Sequence, residues 1–107
     1  MSKTIDEYFA QMPAAFQKDL AAGVAATYQF DLSGEGGGKW FVVIRDGELE
    51  VGKGEKDTPD VTFRAAAADY VEIAEGRMNS MLALATGKFK IKGHMGLAMK
   101  LQRLFKY

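Results

Sequence analysis

The chain has 107 residues, 48% of them hydrophobic and 26% charged, a length and composition that suit one compact globular domain and exclude a disordered linker. Fourteen Lys and Arg balance fourteen Asp and Glu, so the basic surplus of a nucleic-acid-binding protein is missing and nucleic acid is not an expected partner. Cysteine is absent, which excludes disulfides, thiolate catalysis and zinc-ribbon sites.

The segment Met1 to Phe9 carries Lys3, Asp6 and Glu7 where a secretory signal would place an apolar run, and no stretch reaches transmembrane length. The chain therefore reads as soluble and cytoplasmic. Thr4-Ile5-Asp6-Glu7 is a capping box that starts a helix. Ile5, Phe9, Met12, Phe16 and Leu20 recur at helical spacing, but Pro13 suits the first turn of a helix better than an interior one. The expectation is two helices with a kink at Met12.

From Ala26 the period changes to two, with Tyr28, Phe30 and Leu32 on a dry face and Gln29 and Asp31 on a wet one. Ser33 to Gly38 is a glycine-rich connection, and Trp40 to Arg45 is a second strand ending at Asp46-Gly47, the signal of a two-residue hairpin. Counting outward pairs Arg45 with Glu48, Ile44 with Leu49 and Val42 with Val51, and sends Phe41 and Val43 to the opposite face from Trp40, Val42 and Ile44. Val61 and Phe63 mark a fourth strand, and Phe89 and Ile91, alternating with Lys88, Lys90 and Lys92, a fifth. Between these lie two short helices, Ala66 to Glu75 with Tyr70, Ile73 and Ala74 on one face and Gly76 as its stop, and Asn79 to Thr86 stopped by Gly87. A last helix spans His94 to Phe105, with His94 at its N-cap.

Motifs of chemistry are scarce. The run Gly34 to Lys39 lacks the Ser or Thr that follows the lysine of a phosphate loop, and Trp40 opens a strand rather than a helix, so the run reads as a hairpin and is assigned no cofactor. His94 is the sole histidine, and no metal site is expected. Ser2, Ser33 and Ser80 lack the flanking residues of a nucleophile elbow. Lys88, Lys90 and Lys92 project from one side of a strand and suit either an anionic head group or membrane surface, or plain solvation balanced by Glu48, Glu50 and Asp31. No buried charge constellation is visible, which leaves a ligand's head group open.

Four of the six methionines, Met78, Met81, Met95 and Met99, fall within the last thirty residues. Methionine is flexible and polarizable, suiting a wall that accommodates several apolar shapes, as well as ordinary core packing. Laid out at helical pitch, Leu97, Leu104, Leu101, Phe105, Ala98, Met95 and Met99 cover about 220° of the final helix, against the roughly 100° that suffices for a surface helix. Part of that arc must be deeply buried or face something other than protein.

The run from Gly87 to Gly93, followed by Met95-Gly96-Leu97-Ala98-Met99-Lys100-Leu101, resembles the sterol carrier protein type 2 family of lipid-binding domains. The likeness extends in order through Tyr28-Gln29-Phe30-Asp31-Leu32, Val43-Ile44-Arg45-Asp46-Gly47, Pro59-Asp60-Val61-Thr62-Phe63 and the Gly76 stop. It implies an α+β fold, a five-stranded, largely antiparallel mixed sheet covered on one face by helices, with an apolar tunnel between the layers. It implies a carrier of sterols, fatty acids, fatty acyl-CoA or phospholipids that catalyses nothing, needs no cofactor and meets membranes transiently, with a monomer favoured. Matched by position, the lining would be Phe9, Met12, Phe16, Phe30, Met78, Met81, Leu82, Met95, Met99, Leu104 and Phe105.

Two positions depart from the family pattern. The family often has Asp or Asn where this chain has His94, which puts the capping of the last helix in question. Animal members end in a peroxisomal tripeptide of the Ser-Lys-Leu kind, whereas this chain ends Phe105-Lys106-Tyr107, so a cytosolic setting is expected. The rival functions are a small acyl-CoA thioesterase, which the element order disfavours, and a non-catalytic interaction module whose cavity is filled.

Overall fold

Thr4 opens the first helix in the expected way. Its hydroxyl accepts from the Glu7 N–H at 3.2 Å while the Glu7 carboxylate accepts from the Thr4 N–H at 3.0 Å, so both orphan donors are satisfied. The computed structural model describes residues 4–105. Lys3, Ser2, Lys106 and Tyr107, used above for targeting and for the nucleophile search, lie outside the described residues.

Helix α1 (Ile5–Ala15) runs through Pro13 without a break, which corrects the expected kink at Met12 and the second helix from Pro13. Pro13 falls in the last turn, where its missing N–H removes only the bond to the Phe9 carbonyl and little helix follows the ring. Phe16 is extended and forms a bridge with Phe105, and Lys18–Ala21 make a short 3₁₀ turn. Leu20 is therefore 59% exposed instead of continuing the apolar face of α1.

The sheet comprises β1 (Ala25–Ser33), β2 (Gly38–Arg45), β3 (Glu48–Lys53), β4 (Val61–Ala66) and β5 (Phe89–Gly93), in the spatial order β3-β2-β1-β4-β5. All neighbours are antiparallel except β1 and β4, which run parallel, so the sheet is mixed. The Asp46-Gly47 turn sets the β2/β3 register as read from sequence, pairing Arg45 with Glu48, Ile44 with Leu49 and Val42 with Val51. Both turn residues have positive φ, 52° and 75°, the backbone of a type I′ turn whose twist matches the strands.

One face of the sheet is dry. Ala26, Tyr28, Phe30, Trp40, Val42, Ile44, Val61 and Phe63 are buried there beneath the helices, and hydrophobic burial on this scale, at roughly 25 cal/mol per Å², is the main stabilising contribution. Phe41 and Val43 stand on the outer face, half-buried. The Phe41 ring lies over its cross-strand partner Gly52, where a β-carbon would come within 2.6 Å of the ring, and Lys56 Nζ caps the ring at 4.3 Å. Gln29, expected on the wet face, is instead buried. Its amide nitrogen donates to the carbonyls of Trp40 at 3.1 Å and Gly54 at 3.0 Å, and its oxygen accepts from the Lys56 N–H at 2.8 Å. The β3–β4 connection folds over this side chain, so the alternation of polarity misreads it.

Helices α2 (Ala67–Ala74) and α3 (Ser80–Ala85) agree with the two short helices expected before β5, and Asn79 caps α3 by accepting from the N–H groups of Met81 and Leu82. The final helix is shorter than expected. Helix α4 (Met95–Leu101) is followed by a 3₁₀ turn over Gln102–Leu104, and Phe105 is extended. The arc counted for a single helix through Phe105 is thus divided, with Leu104 and Phe105 turned into the core rather than continuing the helix surface. His94 does cap α4, its Nδ1 accepting from the Leu97 N–H at 3.1 Å.

Candidate functional site

The helices pack unevenly on the sheet. Over β2 the interior is filled, because Phe9 of α1 stacks on Trp40 with ring centroids 4.5 Å apart and meets Phe30 edge-on at 5.1 Å. Over β4 and β5 it is not. A cavity of about 780 Å³ lies there between α1, α2, α3 and α4 and the sheet, within the roughly 300–1,000 Å³ of small-molecule sites.

Its floor is a row of rings crossing three strands. Phe30 on β1 stacks on Phe63 of β4 at 4.9 Å, and Phe63 on Phe89 of β5 at 5.6 Å, continued by Ile91. The register produces the row, since Phe30 is paired with Phe63 and Phe63 with Ile91. The roof is Tyr8 and Met12 of α1, Tyr70 and Ile73 of α2, Met81 and Leu84 of α3, and Ala98, Met99 and Leu101 of α4, closed at one end by Phe105. At the mouth Met81 and Met99 are 62% and 50% exposed.

One part of the wall is polar. Tyr8 is buried at the cavity, and Glu75, at the end of α2, faces the same space together with Gln11, Ser80 and Gln102. Arg77 holds Glu75 at 2.6 Å and Glu72 at 2.7 Å. No well-formed hydrogen bond reaches the Tyr8 hydroxyl. Burial, and then the neighbouring Glu75 carboxylate, push its pKa up to about 12.

Of the residues expected to line a ligand site, Met12, Phe30, Met81, Met99 and Phe105 stand on this cavity wall. The other six stand elsewhere. Phe9 fills the core over β2, Leu104 is 1% exposed inside the packed layer, Phe16 packs its ring on Phe105 at 5.5 Å outside the wall, and Met78, Leu82 and Met95 lie off it, with Leu82 and Met95 largely solvent-exposed. The physical reason for Phe9 is helical phase. Tyr8, Gln11 and Met12, at i, i+3 and i+4, share the cavity face of α1, which turns Phe9 toward Trp40.

Sequence reading passed over Tyr8, Gln11, Glu75 and Gln102. Tyr70 and Ile73, read there as one apolar face of a helix, carried the usable signal.

A second, polar cleft of similar volume, about 780 Å³, opens between β1, β2, β4 and β5 and is lined by Asp31, Lys39, Arg64, Asp69, Lys88 and Lys90. Its charges are partly matched within the protein, Arg64 to Asp31 at 3.7 Å and Lys39 to Glu55 at 2.8 Å. Glu48 and Glu50 lie on β3, at the opposite edge of the sheet from Lys88, Lys90 and Lys92, so of the carboxylates expected to balance the lysines only Asp31 is near them. Among the described residues no three His, Cys, Asp or Glu side chains gather closely enough to hold a metal ion. Nor is any helix among them long and apolar enough to cross a membrane.

The sequence pattern of the SCP-2 sterol transfer family matches residues 5–106. The chain is 36% identical over 104 residues to hydroxysteroid dehydrogenase-like protein 2 of Bos taurus, a match covering 96% of this chain and 25% of that protein. It superimposes on palmitated SCP2L2 from Aedes aegypti with a TM-score of 0.75 and 25% identity, covering 100% of this chain and 96% of that one. The sec-alkylsulfatase Pisa1 from Pseudomonas sp. contains the same fold, with a TM-score of 0.80 and 20% identity over 98% of this chain and 17% of that one. The chain spans about a quarter of the length of the curated relatives it matches.

Proposed function

The chain belongs to the SCP-2 sterol transfer family, and from that premise we propose that it is a non-catalytic lipid carrier that holds the apolar body of a sterol, fatty acid, fatty acyl-CoA or phospholipid in the cavity over β4 and β5. The observation that carries this reading is the cavity itself, about 780 Å³ with a floor of stacked phenylalanine rings and a roof that includes two half-exposed methionines. Burying a lipid's apolar surface there supplies the driving force at roughly 25 cal/mol per Å². The adaptable thioether walls make the fit tolerant of chain shape. A palmitated protein of the same fold supports an acyl chain as one occupant.

The relatives' length favours a second role for the same unit. A segment matching one quarter of a dehydrogenase-like protein is suited to holding a lipid beside an enzyme as well as to carrying one alone. In both roles the unit binds and releases without chemistry.

Native mass spectrometry after gentle purification, followed by titration with long-chain acyl-CoA, tests the proposal. The expected result is one lipid per chain with no protein-dependent release of free thiol. Failure of every lipid probe to bind removes the carrier reading, and thiol release that survives repurification replaces it with a thioesterase.

A further inference from the structure

Charge is divided along this chain although its sum is zero. All fourteen Asp and Glu residues lie at or before Glu75, whereas half of the fourteen Lys and Arg residues follow it. The fold turns that division into a direction. Lys90 and Lys92 of β5, with Lys88 just before them, are exposed at one edge of the sheet, and Glu48 and Glu50 of β3 are exposed at the other. Four strand intervals separate the edges, roughly 19 Å at the usual spacing, about twice the Debye length at physiological salt. A charged surface touching the β5 edge therefore feels the lysines and little of the glutamates. The nearer carboxylates are mostly engaged. Asp31 pairs with Arg64 at 3.7 Å and Asp60 accepts from the Thr27 N–H at 2.8 Å, while Asp69 shares a cleft with Lys88 and Lys90 and offsets one of them.

The same edge is apolar on its cavity side. Four of the five large hydrophobic side chains exposed among the described residues, Met81, Leu82, Met95 and Met99, belong to α3 and α4, which precede and follow β5 and pack against it. Met81 and Met99 form the cavity mouth, and Leu82 and Met95 are exposed off the cavity wall on the same two helices. Lys100 and Arg103 add exposed cations on α4 and the turn after it.

We infer that the β5 edge is a docking surface for an anionic lipid bilayer, with the exposed lysines meeting lipid phosphates and Leu82 and Met95 entering between head groups, so that the cavity mouth opens onto the membrane. The inference deepens the carrier reading, on which it rests for the lipid that passes through the mouth. Each contribution alone is small. One cation near such a surface changes binding about fivefold, and single exposed hydrophobic residues are ordinary. Their coincidence at the mouth is not ordinary. A bilayer is favoured over an acidic protein because the patch adjoins the opening through which an apolar ligand must pass, and a lipid moving from bilayer to cavity there avoids water.

Co-sedimentation with phosphatidylcholine vesicles, with and without phosphatidylserine, tests the docking surface, and titration with a fluorescent fatty-acid probe reads the cavity separately. The parent should bind the phosphatidylserine vesicles at least about tenfold more tightly, and raised salt should remove the difference. The triple variant Lys88→Gln, Lys90→Gln, Lys92→Gln should lose about tenfold or more on those vesicles. Lys90→Gln alone, with a loss of about fivefold, replaces it if the triple variant fails to fold. Leu82→Gln combined with Met95→Gln should also weaken vesicle binding and leave probe affinity unchanged, since neither side chain lines the cavity. Leu20→Gln removes the fifth exposed hydrophobic side chain, on the turn between α1 and β1, and should change nothing. Equal binding to both kinds of vesicle, or no loss in the lysine and Leu82/Met95 variants, overturns the docking surface while probe binding leaves the carrier standing. Vesicle binding as expected with no probe bound removes the carrier and leaves a membrane-binding edge without cargo. Self-association of the parent that Leu82→Gln with Met95→Gln abolishes, in the absence of vesicle binding, overturns the bilayer and assigns the face to a second copy of the chain.

Discussion

The Tyr28 hydroxyl donates a 2.7 Å hydrogen bond to the backbone carbonyl of Leu97, tying the central strand β1 to helix α4 across 69 positions of sequence. This bond anchors the helix that carries Met99 and so sets one wall of the cavity. Burial, and to a smaller extent Asp60, push the Tyr28 pKa up to about 12, as burial and Glu75 do for Tyr8. The protonated form is the one the fold stabilises. Stability is therefore undiminished below the ordinary tyrosine pKa of about 10 and declines as pH rises from there through about 12. Denaturant titrations across that window should show the decline, and it should shrink in Tyr28→Phe and again in the double variant with Tyr8→Phe. At neutral pH, Tyr28→Phe should itself cost about 0.5–1.5 kcal/mol. A decline of equal size in the double variant would assign the alkaline sensitivity to other groups.

His94 and Gly96 are coupled. The imidazole caps α4 through Nδ1, and a β-carbon at Gly96 would come within 2.9 Å of the ring's Cε1. Replacing the cap by His94→Ala should cost about 0.5–2 kcal/mol, while His94→Asp, with a stronger capping group, should match or exceed the parent. Gly96→Ala would ordinarily stabilise a helix by up to about 1 kcal/mol. With His94 present the gain should vanish or reverse, and in the His94→Asp background it should return. Equal effects of Gly96→Ala in the two backgrounds would show that the ring has room to move.

Gln29 is a larger liability. Its amide satisfies two buried or half-buried carbonyls and one N–H, those of Trp40, Gly54 and Lys56. Gln29→Leu keeps volume and leaves all three to find other partners, so a loss of at least about 2 kcal/mol is expected. Urea unfolding measures it. A loss below about 0.5 kcal/mol would mean that water replaces the amide readily.

Gln29 also shows where the sequence stops being legible. The Asp46-Gly47 turn could be read to the residue because a two-residue turn permits one register and every paired side chain then has a fixed face. The five strands and the face presented by Tyr70 and Ile73 were equally accessible, since period alone defines them. What defeats periodicity is contact between distant segments. Gln29 is polar and sits on a polar face, but the β3–β4 connection arrives to cover it. Pro13 looks like a helix start, but its place in the last turn of α1 makes it tolerable. The cavity wall fails for the same reason. A family match supplies the helices that border the site but not their phase, and in α1 that phase decides that Tyr8 and Met12 border the cavity while Phe9 does not.

Met99 distinguishes an open cavity from a filled core. It lines the cavity and is half-exposed. Inside a close-packed interior an indole in place of the thioether would force neighbours off their rotamers and cost about 1–3 kcal/mol, a shift of several degrees or more in Tm for a domain of this size. At the cavity mouth the indole can instead occupy volume that a lipid chain would take. Met99→Trp should therefore leave the Tm of the lipid-free protein within about 4 °C of the parent and weaken binding of a fluorescent fatty-acid probe by tenfold or more. Val42→Trp is the control. Val42 has no exposed surface and sits between Tyr28 and Val51 in the sheet, so the same change there should lower Tm steeply or prevent folding. A Met99→Trp protein that melts far below the parent yet binds the probe normally would remove Met99 from the ligand's path and shift the site toward the phenylalanine floor.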